Sequence, residues 1–271
     1  MSRFKAALIQ LNSRADLDFN LQKCEKLAEE AVSGGAKLLG LPENFPFLGS
    51  EKEKLERGAE IETKTRSFLE NISKKNKITV LAGGFPSPAP GGKVYNTAAL
   101  FGPDGKEIFQ YHKIHLFDTD PGDGVEYRES RSVEAGKEIP PVYRNSELGN
   151  ISSVVCYDLR FPELFRKLAD QESDIVFVPA AFTKLTGEAH WEVLLRARAI
   201  ENQCYILAPA QTGTHSGGRE TYGHSLVVDP WGRILADAME GEKVIFADID
   251  LEEVKKARKK IPALRHRKIG L

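Results

Sequence analysis

Residues 4–41 read FKAALIQLNSRADLDFNLQKCEKLAEEAVSGGAKLLGL, and this stretch sets the fold class. The apolar run Phe4–Leu11 is typical of a buried strand. Between Asp18 and Val32, apolar side chains recur three or four residues apart, which predicts an amphipathic helix, and the glycine pair that follows supplies a helix stop. The apolar run Lys37–Leu41 predicts a second strand. A strand, a helix and a strand in succession predict an α/β layer architecture.

The rest of the chain adds hairpins to this pattern. The runs Tyr95–Gly102 and Lys106–Lys113 flank a Pro-Asp-Gly turn, which is a hairpin signal. Further strands are predicted at 78–84, 141–145, 150–155, 204–210, 224–228, 232–236 and 244–249, and helices at 51–75 (one or two), 162–169, 188–203 and 251–260. The hairpins predict mixed sheets. Because no long linker divides the chain, one domain over residues 1–271 is expected.

Composition narrows the function classes. The 271 residues are 41% hydrophobic and carry a formal net charge of −1, which gives no electrostatic basis for binding nucleic acid or an anionic membrane. No apolar run approaches the roughly 18 residues of a transmembrane helix. The cysteines, Cys24, Cys156 and Cys204, are odd in number and widely spaced, so a reducing, cytoplasmic compartment is expected. Nucleotide-loop and zinc motifs are missing, and neither a metal nor an organic cofactor is predicted.

Cys156 lies at a predicted strand-to-helix junction. It follows the apolar run Ile151–Val155, and Pro162, six residues later, suits the first turn of a helix. Such a junction lifts a side chain out of the sheet, and helix N-termini lower the pKa of a thiol and stabilise an oxyanion. The residue types leave two interpretations open, a buried hydrophobic cysteine or a nucleophile. For Cys24 and Cys204, which lie inside periodic apolar segments, the buried core position is favoured.

Three charged residues stand out less clearly. Glu43 follows a predicted strand between apolar residues, where partial burial would raise its pKa and make it a usable general base. Lys113 ends a strand among aromatic residues, where it could stabilise an oxyanion or lower the pKa of a thiol. For each residue taken alone, a surface position is the simpler interpretation. Glu129, in the segment YRES, gives no indication of a function by itself, and a surface loop is its expected position.

Together these segments resemble the nitrilase, or carbon–nitrogen hydrolase, superfamily. Five motifs carry the resemblance, in the family's order: LPENF around Glu43, YHKIHLFD around Lys113, VVCYDLRFPE around Cys156, AHWEVLLRARAIENQCY from Ala189 and GHSLVVDPWG from Gly223. The resemblance implies a four-layer α-β-β-α sandwich with two mixed β-sheets. It also implies a catalytic triad of Glu43, Lys113 and Cys156, with Glu129 orienting the lysine.

The resemblance implies further site residues. A tetrahedral oxyanion would be held by Lys113 and by the backbone N–H of Tyr157. Four residues are implied to bind the substrate: Arg160 as a carboxylate anchor, with Thr186, Asn44 and Phe182 around it. Asp158 and Arg160 match a charged pair behind the nucleophile. No metal or organic cofactor is implied.

Within the family, the form THSGGRETYGHS at 214–225 most resembles the amidase branch that acts on deaminated glutathione. The ω-amidase branch is a near neighbour, and hydrolysis of nitriles or N-carbamoyl compounds is a further alternative. The expected partner is a small carboxylate-bearing amide. The family also implies a homodimer, with helices near the nucleophile at the interface and the tail, 251–271, reaching the partner. A Cys–His hydrolase using His112 or His224 and a non-enzymatic binding scaffold stay open as alternatives.

Overall fold

Two six-stranded sheets form the centre of the computed structural model, which describes residues 3–122 and 124–269. In spatial order, the first sheet consists of β16 (Lys243–Asp250), β1 (Arg3–Gln10), β2 (Ala36–Gly40), β3 (Thr79–Pro88), β4 (Val94–Phe101) and β5 (Glu107–His112). The second consists of β15 (Ile234–Asp237), β14 (Leu226–Val228), β11 (Tyr205–Ala208), β10 (Ile175–Phe177), β9 (Gly149–Ser153) and β8 (Tyr143–Asn145). Two small hairpins pair β6 (Asp118–Thr119) with β7 (Tyr127–Arg128) and β12 (Thr212–Thr214) with β13 (Glu220–Tyr222).

The central strands of each sheet run parallel. β1, β2 and β3 are parallel neighbours in the first sheet, as are β9, β10 and β11 in the second. The outer strands pair antiparallel. The predicted mixed sheets are therefore confirmed. Ligands of such sheets usually bind beyond the carboxyl ends of the parallel strands, which is where the segments after β2 and β9 come together.

Helices cover the outer faces of both sheets. Their bounds are α1 (Leu17–Ser33), α2 (Glu51–Asn76), α3 (Pro162–Asp170), α4 (Lys184–Asn202), α5 (Leu251–Lys260) and α6 (Ala263–His266). The Asp16 side chain caps α1 by accepting the Phe19 N–H at 3.1 Å. A reciprocal capping box between Ser50 and Glu53 starts α2.

Alternation along β1 shows how the layers pack. Ala6 and Leu8 belong to the buried cluster between the two sheets, whereas Ala7 and Ile9 belong to the cluster under α1 and α2. Successive side chains of a strand point to opposite faces, so one strand serves both layers. On the far side, Trp191 of α4 packs in the cluster that covers the second sheet. The order of layers is helix, sheet, sheet, helix, which confirms the predicted four-layer sandwich.

Several helices and strands differ from those predicted. The segment from residue 51 forms one helix, α2, and α4 begins at Lys184, four residues before the predicted start. Strand β10 was missed, because three residues buried on both faces show no periodicity. The short strands of the two small hairpins, β6, β7, β12 and β13, were not predicted either. Cys24 and Cys204 are 0% and 1% exposed, which confirms their core positions.

Helix α5 has its predicted bounds. The last two residues of the predicted partner-reaching tail, 270 and 271, lie outside the described residues. Among the helices of the described ranges, none combines the length and the apolar character that crossing a bilayer requires.

Candidate active site

The four predicted catalytic residues, far apart in sequence, come together beyond the strand ends. Glu43 follows β2 and Lys113 directly follows β5 in the first sheet. Cys156 follows β9 of the second sheet, and Glu129 begins a short 3₁₀ turn after β7. All four line one cavity of about 270 Å³. The two sheets and a small hairpin therefore each contribute to a single site.

Lys113 lies between two carboxylates. Its Nζ donates to Oε2 of Glu129 at 2.7 Å, to Oε1 of Glu129 at 3.1 Å and to Oε1 of Glu43 at 3.3 Å. The side chain is 2% exposed, so the predicted surface alternative is wrong. Burial alone would lower the pKa of Lys113, but the negative charges of Glu129 and then Glu43 raise it above its ordinary value. The lysine is a buried ammonium.

Glu129 is held from two sides. Its Oε2 also accepts the backbone N–H of Phe117 at 2.7 Å, and its Oε1 accepts the Asn96 amide at 3.1 Å. With Lys113, these donors fix the carboxylate although the residue begins a loop turn. The sequence around Glu129 contains no periodic signal that predicts this placement.

Glu43 is buried and ionised. Its Oε2 accepts the Ala181 N–H at 2.8 Å, and its Oε1 accepts the Asn96 amide at 2.9 Å. Burial alone would raise the pKa of Glu43, but Lys113, then Arg219, and hydrogen bonds from Asn96 and Cys156 hold it below its ordinary value. The prediction that burial would raise the pKa of this carboxyl is therefore wrong, because the cations beside it outweigh desolvation.

Cys156 lies at the head of a 3₁₀ turn, Cys156–Arg160, that precedes α3. Its backbone has φ of +46°, a left-handed conformation that costs a non-glycine residue about 1–3 kcal/mol. Its N–H donates to the Pro179 carbonyl at 2.9 Å and fixes the turn to the segment after β10. The sulfur faces the cavity and the residue is 8% exposed.

The pKa of the Cys156 thiol is raised. Burial is the main cause, and the charge of Glu43 adds to it, while Lys113 and the Ala181 backbone act in the opposite direction. The prediction that the helix junction lowers this pKa is wrong, because the short turn is outweighed by desolvation and a carboxylate. The site at rest therefore holds a neutral thiol beside an ionised carboxylate.

Asp158 ties the Cys156 turn to the first sheet. This fully buried carboxylate accepts the Tyr111 hydroxyl at 2.8 Å, the Val155 N–H at 2.9 Å and the His115 N–H at 3.1 Å. The His115 ring nitrogen Nδ1 lies 2.7 Å from the same carboxylate. Arg160 makes no ion pair with Asp158 within the described residues, so the expected charged pair is not formed.

The predicted substrate-binding residues separate into two groups. Asn44, Phe182 and Thr186 line the cavity, and Asn44 takes up a left-handed φ of +58° that asparagine tolerates. Arg160 is not among the lining residues. Its guanidinium lies 5.2 Å from the Phe182 ring, and its Nη1 lies 3.4 Å from Nδ1 of His190. The backbone of Tyr157 belongs to the first turn after Cys156, where N–H groups lack helical partners.

Two residues of the site were missed by the sequence prediction. Asn96 in β4 donates one amide group to both Glu43 and Glu129, and its Oδ1 faces the backbone of Gly84. A polar residue inside the apolar run of β4 was the available signal. Arg219, just before β13, lines the cavity and donates to the Ala181 carbonyl at 2.6 Å. Its position in a glycine-rich loop gave no comparable signal.

No histidine lines the cavity within the described residues. His112 is stacked on Tyr95 and lies 2.9 Å from the Thr97 hydroxyl, and the His224 ring lies 3.1 Å from Asp237. Neither imidazole is therefore in place as a base for Cys156, which weighs against the Cys–His alternative.

Comparison with known proteins identifies the family of this chain. The carbon-nitrogen hydrolase family matches residues 5–259. A deaminated glutathione amidase of Synechocystis is 52% identical, over 98% of this chain and 99% of that protein. The crystal structure of the Caenorhabditis elegans NitFhit protein has a TM-score of 0.93 and 36% identity, covering 99% of this chain and 66% of that longer one.

A third relative connects the family with cysteine chemistry. A mutant amidase from Nesterenkonia, with acrylamide added to its active-site cysteine, has a TM-score of 0.81 and 28% identity, covering 96% of this chain and 98% of that one. The family resemblance inferred from the five motifs is confirmed by these matches. The chain belongs to the carbon-nitrogen hydrolase family and is an enzyme that hydrolyses amide carbon–nitrogen bonds.

Proposed function

We propose that Cys156 is the nucleophile of this amidase and that Glu43 is its general base. The observation that carries the proposal is the position of Glu43, which contacts Lys113, the Ala181 backbone and the Cys156 thiol at once. A nucleophile, a base within hydrogen-bonding reach and groups that orient the base are the parts that covalent acyl transfer needs.

The pKa directions define the first step. The thiol of Cys156 is neutral and Glu43 is ionised, so the proton moves to Glu43 as the sulfur attacks the amide carbon. The attack forms a carbon–sulfur bond and places a negative charge on the former carbonyl oxygen. The ammonium of Lys113 and the N–H of Tyr157 stabilise this oxyanion.

Collapse of the intermediate completes the cycle. Glu43 returns its proton to the departing nitrogen as the carbon–nitrogen bond breaks, which leaves a thioester on Cys156. Water then attacks the thioester with Glu43 as the base, and the acid and the free thiol are released. Glu129 acts through Lys113, because its carboxylate is the nearest counter-charge of the ammonium.

The proposed substrate is deaminated glutathione, a γ-amide of a keto acid with cysteinylglycine. The Synechocystis relative that carries this name is 52% identical over nearly the whole chain, which supports the transfer. Asn44, Phe182 and Thr186 are proposed to contact the substrate. Arg160 is proposed as the anchor of the acyl carboxylate, which requires its guanidinium to reach past Phe182.

The number of domains, the oligomeric state and the cellular compartment are also proposals. One domain spans the chain, supported by the family match over residues 5–259. The protein forms a homodimer through α4 and the C-terminal tail, since Val193 and Ile200 of α4 are 66% and 51% exposed. Its cysteines are unpaired, which supports a reducing, cytoplasmic compartment.

The test is a rapid quench with intact-mass detection. Incubation with deaminated glutathione should give an acyl adduct on Cys156, and Cys156→Ala should abolish both the adduct and turnover. Cys24→Ala, at a buried cysteine outside the cavity, is the matched control. Full turnover by Cys156→Ala would exclude the proposal. A panel with α-ketoglutaramate, N-carbamoyl amino acids and simple nitriles assigns the substrate class.

A further inference from the structure

Among the residues that the structure describes, four cationic side chains line the cavity, and three of them are neutralised by carboxylates. Lys54 pairs with Glu51 at 2.7 Å, and Arg128 pairs with Glu126 at 2.5 Å. Lys113 pairs with Glu43 and Glu129, as described above. Within the described residues, the fourth cation, Arg219, makes no ion pair with any carboxylate.

The donors of Arg219 are only partly used. Its Nη2 donates to the Ala181 carbonyl, and its guanidinium lies 5.6 Å from the Tyr127 ring centre. Its Nε is buried and has no hydrogen-bond partner among the described residues. An unpaired guanidinium in a cavity presents a fork of N–H groups, the geometry that binds a carboxylate through two hydrogen bonds.

The loop that carries Arg219 is fixed to the body of the protein. The backbone carbonyl of Arg219 accepts the His215 N–H at 2.8 Å. The ring of His215 is buried between the Ser13 carbonyl, 3.0 Å from its Nδ1, and the Thr221 hydroxyl, 2.7 Å from its Nε2. These hydrogen bonds fix the backbone that carries the guanidinium. Binding of a ligand by Arg219 therefore costs little conformational entropy.

Arg219 lies on the Glu43 side of the site. Ala181 joins the two residues, since its carbonyl accepts from Arg219 and its N–H donates to Glu43. In the proposed mechanism Glu43 protonates the departing nitrogen, so the amine portion of the substrate must extend past Glu43. A group on this portion comes within reach of Arg219, whereas the oxyanion lies toward Lys113.

We propose that Arg219 binds a carboxylate on the amine portion of the substrate. The preferred leaving group is then an amino acid or a short peptide with a free carboxyl end. This inference rests on the proposed function and extends it, because it assigns a second anchor that is separate from Arg160. The cation selects for charge on the leaving group, and Cys156 and Glu43 carry out the chemistry.

The experiment compares two substrates that share the keto-acyl group. One has cysteinylglycine as its amine portion, and the other has the C-terminal carboxamide of the same dipeptide. Wild-type protein should prefer the free carboxylate in kcat/KM by about 10- to 100-fold, the range expected for a hydrogen bond to a charged group. Arg219→Gln should remove this preference by raising KM for the carboxylate substrate, whereas any loss of kcat that follows from removing the charge near Glu43 should be equal for the two substrates. Arg219→Lys should keep part of it.

Arg128→Gln is the matched control, since Arg128 lines the same cavity but pairs with Glu126. It should keep the wild-type preference. Equal losses on both substrates in Arg219→Gln, or no preference in the wild-type protein, would overturn the inference. Failure of the proposed function looks different, because wild-type protein would then cleave neither substrate and form no thioester on Cys156.

Discussion

The Nζ atom of Lys113 lies 2.7 Å from Oε2 of Glu129, closer than its 3.3 Å separation from Glu43. Glu129→Gln keeps the shape of this contact and removes its charge. We expect kcat to fall about 10- to 100-fold, since a hydrogen bond to a charged group contributes about 1.5–3 kcal/mol. Steady-state kinetics measure this change.

Glu126→Gln is the control, because Glu126 lines the same cavity but does not contact Lys113. A wild-type kcat in Glu129→Gln would show that the lysine is oriented without this charge.

Asn96→Asp is expected to shift the pH dependence of the reaction. The pKa of Glu43 is held below its ordinary value, so wild-type activity should be lost only as the pH falls through that lowered pKa. The variant carboxylate would lie about where the Asn96 amide now donates, 2.9 Å from Glu43. Its negative charge raises the pKa of Glu43, and the acidic limb of kcat/KM moves to higher pH.

A pH profile of kcat/KM measures this shift. Asn150→Asp, which adds the same charge at a residue that does not line the cavity, should leave the acidic limb in place. An unchanged limb in Asn96→Asp would contradict the assignment of Glu43 as the base.

Gly84→Ala is expected to displace Asn96. A Cβ at this position would lie 1.9 Å from Oδ1 of Asn96, which no packed side chain can accept without moving. Overpacking of this kind costs about 1–3 kcal/mol, and moving Asn96 also removes a donor shared by Glu43 and Glu129. We expect lower activity together with a lower free energy of unfolding, measured by kinetics and by urea denaturation.

Gly102→Ala is a suitable comparison. A Cβ at Gly102 would lie 3.1 Å from its nearest neighbour, Oδ1 of Asp104, which is outside the site. If Gly84→Ala retained full activity, Asn96 would have no positioning role.

Alkylation of the native protein should separate the three cysteines. Cys156 faces the cavity, whereas Cys24 and Cys204 lie in the core at 0% and 1% exposure. Acrylamide should therefore modify Cys156 alone. Because the Cys156 thiol is neutral at rest and Glu43 removes its proton, Glu43→Gln should slow modification about 100-fold or more, the lower end of the usual contribution of a general base.

Peptide mapping after alkylation identifies the modified residue. In urea-unfolded protein all three thiols should react at similar rates, which provides the reference. Equal reactivity of Cys156 in Glu43→Gln and in wild-type protein would contradict the role of Glu43.

The order of elements and the residue types were determined by the sequence. Strand and helix periodicity in residues 4–41 predicted the α/β layers, because side-chain alternation is local information. The motifs around Glu43, Lys113 and Cys156 predicted a family and its chemistry. These features depend on neighbours within a few residues, and most of the predicted helices and strands are present in the structure. Strand β10 was not predicted, because three consecutive buried residues show no alternation between apolar and polar side chains.

Only the tertiary structure decided the pKa shifts of the catalytic residues and the complete set of residues that form the site. The pKa directions of Glu43 and Cys156 were predicted with the wrong sign, because they depend on the balance between burial and charges brought in from distant segments. Asn96 and Arg219 entered the site through contacts that span 53 and 38 positions of the chain. Such contacts arise when strands and loops that are distant in the chain become neighbours in the folded protein, and no local pattern in the sequence records which side chains are brought together.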